Sequence, residues 1–433
     1  MAIKDYPLKT REFYLKRLIA FQDTEPVKVL TGIRRCGKSS LLKLMRQHLL
    51  DSGILPEQIV SINFESMEFR EMDVKNFYQY VKERVLNDKR MYLFFDELQR
   101  LPQWEDAVNS FRVDFDCDIY ITGSNAFLLS SEYSTYFSGR YVEIKVYPLS
   151  FREFLDFHGY VVEAYKTPLG EFRKRITDRN AQPVEMNDLF EAYLRVGGMP
   201  GIIDTGLERD KVNVLLDGIY STVVLRDILE RECRRGRRQI TDTALLGKVI
   251  RFLADNVGNS TSLNTISKAL IREKLPDTGA RQEKPAIQTI AAYVGALKES
   301  YLFCEIKRHD IKGKEELKTL GKYYIADTGL RNLLLGRRDL DTGPVIENIV
   351  YFKLLRRGYD VAIGKIGSKE VDFIATKGEE KIYYQVTDEM ISESTRAREL
   401  APLMEILYRE KHYPASSATS SHAGLGFPEN LAE

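Results

Sequence analysis

The 433-residue sequence predicts an α/β protein: a parallel sheet covered by helices on both faces, followed by helical and small mixed α/β segments. Three observations carry this. Up to about residue 150, short apolar runs alternate with helical patterns, as a sheet buried on both faces requires. One of those runs leads into a glycine-rich turn that opens a helix. Beyond Leu149 the strand signal stops and helical periodicity takes over.

Phe13, Leu15, Leu18 and Ile19 recur at helical spacing within Tyr6 to Ala20, which predicts an amphipathic lead-in helix in residues 1–24. The core follows over 25–150. Its elements are the strand VKVLT, a helix from about Lys38, the strand IVSINF, a helix around Val74 to Leu86, the strand MYLFFDE, a helix around Trp104 to Phe111, and the strands Asp118 to Thr122 and YVEIKVYPL. A helical lid or linker is expected over 151–239. Residues 240–328 read as three helices and a β-hairpin, the winged-helix order, with Ser262 as a helix N-cap. The chain returns to mixed α/β over 340–413, and the small, polar tail 414–433 is expected to be unstructured.

Composition excludes several classes. Hydrophobic residues at 43% and charged residues at 29% are those of a globular chain that buries real cores. The 64 basic and 63 acidic residues leave a net charge of +1, so nucleic acid would have to meet a local patch. Cys36, Cys117, Cys233 and Cys304 stand singly with no CxxC pair, which argues against zinc. The amino terminus carries charges where a signal peptide needs an apolar stretch, and no window reaches 18 apolar residues. We expect a cytoplasmic protein that does not cross a membrane.

Gly32, Ile33, Arg34, Arg35, Cys36, Gly37, Lys38 and Ser39 fit GxxxxGK[ST], with Ser40 following, between a predicted strand and a predicted helix. This pattern predicts the loop of a P-loop NTPase. In such a loop glycines let the backbone wrap a polyphosphate, successive N–H groups and the helix N-terminus bind it, Lys38 is expected to neutralise β/γ oxygens, and the Ser39 hydroxyl can ligate Mg²⁺. The strand MYLFFDE then ends in Asp96, expected to hold the Mg²⁺ shell, and Glu97, expected to activate the attacking water. Ser124 and Asn125, at the carboxyl end of another strand, are candidate γ-phosphate sensors; Arg140 is a candidate charge stabiliser, within its own subunit or across a homo-oligomer boundary. ATP and Mg²⁺ are the expected ligands.

The texts GIRRCGKSS, YLFFDELQ with Trp104, TGSNAFLLSSE, SGRYVEIKVYPLSFREF, YLRVGGMPG, VVLRDIL, IADTGLRNLLLG, Glu347-Asn348 and KEVDFIA, over roughly residues 10 to 410, resemble those of bacterial and archaeal AAA-type ATPases with a carboxy-terminal domain of unknown function. The resemblance implies an ATPase core, a winged-helix module and a restriction-endonuclease-like end domain.

An endonuclease-like metal centre needs a helix acid, a strand acid, and an acid two residues before a lysine on the next strand. Here Glu347 and Asp372 are followed by Gln385-Val386-Thr387, in which both functional groups of the last strand are lost. A degenerate domain is expected. The basic cluster Arg231, Arg234, Arg235, Arg237 and Arg238 is a candidate DNA contact, and Lys307, Arg308, Lys312 and Lys314 form a second basic run where a wing tip would be. The leading expectation is ATP hydrolysis that drives conformational change in the carboxy-terminal domains. Its alternatives are a nucleotide-gated DNA- or protein-binding module with little turnover, and a metal-dependent nuclease.

Overall fold

The computed structural model describes residues 8–124, 140–166, 172–230, 240, 242–272, 285–310, 315–336, 342–367, 369–387, 400–405 and 421–426. The chain divides into two compact units, Met1–Tyr147 with Glu299–Tyr301, and Pro148–Lys298 with Leu302–Glu433. Among the described residues no helix is long and apolar enough to cross a membrane.

The first unit runs α1 (Glu12–Ala20), β1 (Val27–Thr31), α2 (Lys38–Asp51), β2 (Ile59–Asn63), α3 (Val74–Lys82), β3 (Met91–Asp96), α4 (Trp104–Asp114), β4 (Cys117–Gly123) and β5 (Tyr141–Lys145). The five strands form one parallel sheet in the order β2-β3-β4-β1-β5. All five residues of β1 are buried, as are the first five of β3, because helices cover both faces. Phe77 of α3 meets Phe95 and Phe111 edge-on at ring separations of 4.8 and 5.2 Å, which fastens α3 and α4 to one face. This is the predicted P-loop NTPase sheet. Its consequence for the site is that β4 lies between the strand leading to the glycine loop and the strand carrying the two acids.

The second unit begins with α5 (Phe151–His158), whose Ser150 and Glu153 form a reciprocal capping box. A three-stranded antiparallel sheet then appears, β6 (Val161–Lys166), β7 (Phe172–Thr177) and β8 (Pro183–Val184). These strands correct the expectation that residues 151–239 are helical throughout. Val161, Glu163, Ala164, Tyr165 and Lys166 of β6 are exposed, so the strand lacks the apolar face on which sequence periodicity depends. α6 (Met186–Val196), α7 (Arg209–Ser221) and a π-helix (Thr222–Glu230) follow. Then come α8 (Thr243–Asp255), α9 (Leu263–Arg272) and α10 (Ile287–Glu299), with Ser262 Oγ accepting from the Thr265 amide as expected of an N-cap.

The hairpin β9 (Phe303–Asp310) and β10 (Glu315–Ile325) leads to α11 (Thr328–Leu335), α12 (Thr342–Arg356), β11 (Asp360–Ile366), β12 (Lys369–Lys377), β13 (Glu380–Val386) and β14 (Ser421–Gly426). One six-stranded sheet joins them in the order β10-β9-β11-β12-β13-β14. The hairpin of the expected winged-helix segment thus shares its sheet with the strands of the expected endonuclease-like segment. β14 corrects the expectation of a wholly unstructured tail: residues 421–426 pair parallel with β13, Lys381 opposite Ser421 through Val386 opposite Gly426.

Asp327, at the N-cap of α11, ties two distant sequence motifs of this unit together. Its carboxylate accepts from the Gly198 amide at 2.7 Å and the Leu330 amide at 3.1 Å. A Cβ at Gly197 would lie 2.2 Å from Asp327 Oδ1, and one at Gly198 would lie 2.3 Å from the Leu149 carbonyl oxygen, so both positions need glycine for close approach. Burial pushes the Asp327 carboxyl up to about 6, opposed by the amides that donate to it.

Candidate functional site

The glycine loop leaves β1 and turns into α2 through backbone conformations that its residues select. Gly32 has φ +139° and Gly37 φ +103°, and a Cβ on Gly32 would lie 2.1 Å from the Val146 carbonyl oxygen. Arg35 adopts φ +62° and is exposed. Ile33 and Cys36 are buried, anchoring the loop, and the Cys36 carbonyl accepts from the buried Arg11 guanidinium at 2.9 Å. Lys38 Nζ donates to the carbonyls of Gly32 at 2.8 Å and Ile33 at 3.1 Å, which folds the ammonium back over the loop. Ser40 is exposed on the first turn of α2.

Ser39 Oγ donates to Asp96 Oδ1 at 3.0 Å. The sheet order makes this contact possible, because the carboxyl ends of β1, β4 and β3 lie side by side. Thr122, at the end of β4, is the link. Its hydroxyl donates to Asp96 Oδ1, and its Oγ1 accepts from the Glu97 backbone amide at 2.9 Å. Asn63 Nδ2 adds a contact to Asp96 Oδ2 at 3.2 Å. Burial raises the Asp96 carboxyl above its ordinary value, while the Thr122 and Ser39 hydroxyls pull it back.

Glu97 sits in the left-handed region, φ +54°, a conformation uncommon for a non-glycine residue. Its side chain is buried, and its Oε2 accepts from Gln99 Nε2 at 2.6 Å and Ser124 Oγ at 3.2 Å. The expected pair of acids is therefore gathered with Lys38, Ser39 and Ser124 at one sheet edge. Arg34 is directed elsewhere: it pairs with Glu65, which also takes Arg100 at 3.0 Å. Arg140 is exposed, and its carbonyl accepts from the Val27 amide at 3.0 Å ahead of β5. Asn125 and the cluster Arg231 to Arg238 lie outside the described residues, as do Lys312 and Lys314.

Thr122, Gln99 and Asn63 were not legible as site residues. A hydroxyl or amide near a strand end is commonplace in sequence; only the neighbouring strand makes it a ligand of the acids. Thr122→Val removes the donor to Asp96 and strands the buried Glu97 amide, at about 1–3 kcal/mol. Urea unfolding checks this, and an unchanged stability would show that Thr122 does not hold the two acids.

In the second unit, Glu347 on α12 and Asp372 on β12 do converge, with Gln385 on β13 buried near them in the sheet order. Between them the structure places a residue that sequence reasoning passed over. Lys322 of β10 has its ammonium 2.9 Å from Glu347 Oε1 and 3.7 Å from Asp372 Oδ1.

A GxxxxGKS loop, a strand-end acid pair and a β2-β3-β4-β1-β5 parallel sheet define a P-loop nucleotide-binding protein of the AAA type. Residues 24–155 match the AAA domain family, and residues 187–341 match a domain of unknown function. The chain is 41% identical over 383 residues to an uncharacterized protein of Haemophilus influenzae, covering 88% of this chain and 87% of that one. It is 28% identical over 383 residues to the uncharacterized protein MJ1544 of Methanocaldococcus jannaschii, covering 86% and 77%. Among solved structures it is similar to the Walker-type ATPase of Pyrococcus abyssi, with a TM-score of 0.44 and 19% identity over 75% of this chain and 95% of that one. The chain belongs to the same family of AAA-domain proteins as its Haemophilus influenzae relative.

Proposed function

We propose that this protein binds ATP and hydrolyses it to ADP and phosphate, with turnover driving conformational change in its carboxy-terminal segments. The observation that carries the reading is the chain Ser39, Asp96, Thr122, Glu97, in which one buried threonine hydroxyl fixes both acids against the glycine loop.

Each residue then has a defined task. The loop amides and the N-terminus of α2 receive the phosphates, and Lys38 exchanges its two carbonyl partners for anionic oxygens. Ser39 Oγ and the Asp96 carboxylate are hard oxygen donors within 3.0 Å of each other, a set suited to Mg²⁺, which when bound neutralises charge on the β/γ oxygens. Glu97 accepts a proton from the attacking water as its oxygen bonds to the γ-phosphorus. The bond to the β–γ bridging oxygen breaks, and ADP departs with the electron pair. Ser124 and Gln99 hold the Glu97 carboxylate so that little reorganisation accompanies the step.

Titration calorimetry with ATP and Mg²⁺ tests the reading. The parent is expected to bind, and Lys38→Ala to lose roughly 10- to 100-fold in affinity, the worth of one charge-assisted contact. Equal affinity in the two proteins would contradict it.

A further inference from the structure

The endonuclease-like end domain implied by the sequence resemblance would hold a divalent metal on Glu347 and Asp372. The side chains present do not fit that group. Three carboxylates, Glu347 from α12 and Glu370 and Asp372 from β12, surround the ammonium of Lys322 at 2.9, 3.1 and 3.7 Å. Lys322 is 4% exposed and reaches the cluster from β10, at the far edge of the same sheet order. Among the described residues, no three His, Cys, Asp or Glu side chains are grouped so as to hold a metal ion, these three included.

The remaining contacts fix the arrangement. Tyr324 Oη, two residues along β10, donates to the same Glu347 Oε1 that Lys322 holds. Arg308 of β9 pairs with the second oxygen of Glu370 at 3.1 Å, and the Val386 amide donates to Asp372 Oδ2 at 2.9 Å. A buried cation ringed by carboxylates takes the place a metal ion would take, but its distances of 2.9, 3.1 and 3.7 Å are well beyond the metal–oxygen distances of about 2.0–2.6 Å that a divalent ion requires.

We infer that Lys322 is the resident cation of this carboxylate cluster, standing where an endonuclease-like domain would hold a divalent metal. The domain is thereby a metal-free element in which the charge that joins hairpin, helix and strand comes from the chain itself. A buried lysine is a permanent occupant, unlike an ion that exchanges with solvent. Removing it takes the shared ammonium from Glu347, Glu370 and Asp372 and leaves Arg308 paired with Glu370, an unfavourable crowding of acids that a hard cation relieves.

Tyrosine-sensitised Tb³⁺ emission tests this on the full chain without nucleotide, with Tyr324 as the antenna beside Glu347. The parent and Asp372→Asn are expected to give the same emission. Lys322→Ala is expected to gain emission several-fold, and Lys322→Ala with Asp372→Asn to lose that gain. Emission of the parent that falls on Asp372→Asn would overturn the inference, since metal would then share the cluster with Lys322. A folded Lys322→Ala protein with no gain would overturn it equally. If that variant fails to fold, Lys322→Gln, which keeps length and a donor while removing charge, carries the same expectations. Plasmid incubation with Mn²⁺ adds a second readout: cleavage by the parent that disappears in Asp372→Asn would also overturn it. Any Tb³⁺ or Mn²⁺ held at Asp96 is common to the parent and all the variants and cancels in the comparison, so the outcome is separable from that of the proposed function.

Discussion

Glu97→Gln is expected to retain ATP and to lose turnover by about 10²–10⁴-fold, the usual contribution of a positioned general base. The substitution keeps the shape of the side chain and removes only its ability to take a proton. Its surroundings are neutral partners, Gln99 and Ser124, that an amide can also satisfy after rotation. The backbone contact to Thr122 is untouched because it is made by the amide of residue 97. Calorimetry and a phosphate-release assay on the same preparation separate the two effects. Unchanged affinity with collapsed turnover is the expected pair of results. Turnover within a few-fold of the parent would remove Glu97 from the role of base and return attention to Asp96.

The largest expected effect on stability lies away from the loop, at Lys28→Met. Lys28 on β1 and Asp118 on β4 form an ion pair with both side chains fully buried. Lys28 Nζ also donates to the Thr24 carbonyl at 2.8 Å, and Asp118 Oδ2 accepts from the Asp23 amide at 2.8 Å and Tyr120 Oη at 2.9 Å. Burial lowers the lysine from its ordinary value, and Asp118 opposes that shift. Removing the lysine leaves a charged, hydrogen-bonded carboxylate without its cation inside the sheet. The cost is expected at about 3–5 kcal/mol, which for a unit of this size lowers the melting temperature by on the order of 10 °C. Asp118→Asn in the same background should recover part of the loss, since it removes the uncompensated charge and keeps an acceptor. Urea unfolding of the two variants checks both statements, and a loss below about 1 kcal/mol for Lys28→Met would show that the pair behaves like an exposed one.

What could be read from sequence follows how local each signal is. The loop from Gly32 to Ser39 was legible because its chemistry is written in eight consecutive residues between a strand and a helix. Asp96 and Glu97 were legible because they end an apolar run. Thr122 was not, although it touches both acids, because its role depends on β4 being placed between β1 and β3. Lys322 was hidden for a similar reason. It precedes Glu347 by 25 residues, in a segment whose alternation indicates only a hairpin strand. Gly198 and Asp327 were each visible as parts of distinctive texts, but nothing local indicates that a carboxylate 129 residues away closes on that glycine amide. The β6–β7 hairpin was lost to a different cause: a mostly exposed strand such as β6 shows no hydrophobic period.

A single-turnover experiment, with protein in excess over labelled ATP and Mg²⁺ so that slow product release cannot mask chemistry, asks whether Ser39, Asp96, Thr122 and Glu97 act together on ATP held by the glycine loop. The parent is expected to convert its bound ATP to ADP, and Glu97→Gln to keep it intact. ATP that stays bound and uncleaved by the parent, or is cleaved equally by Glu97→Gln, would overturn that reading.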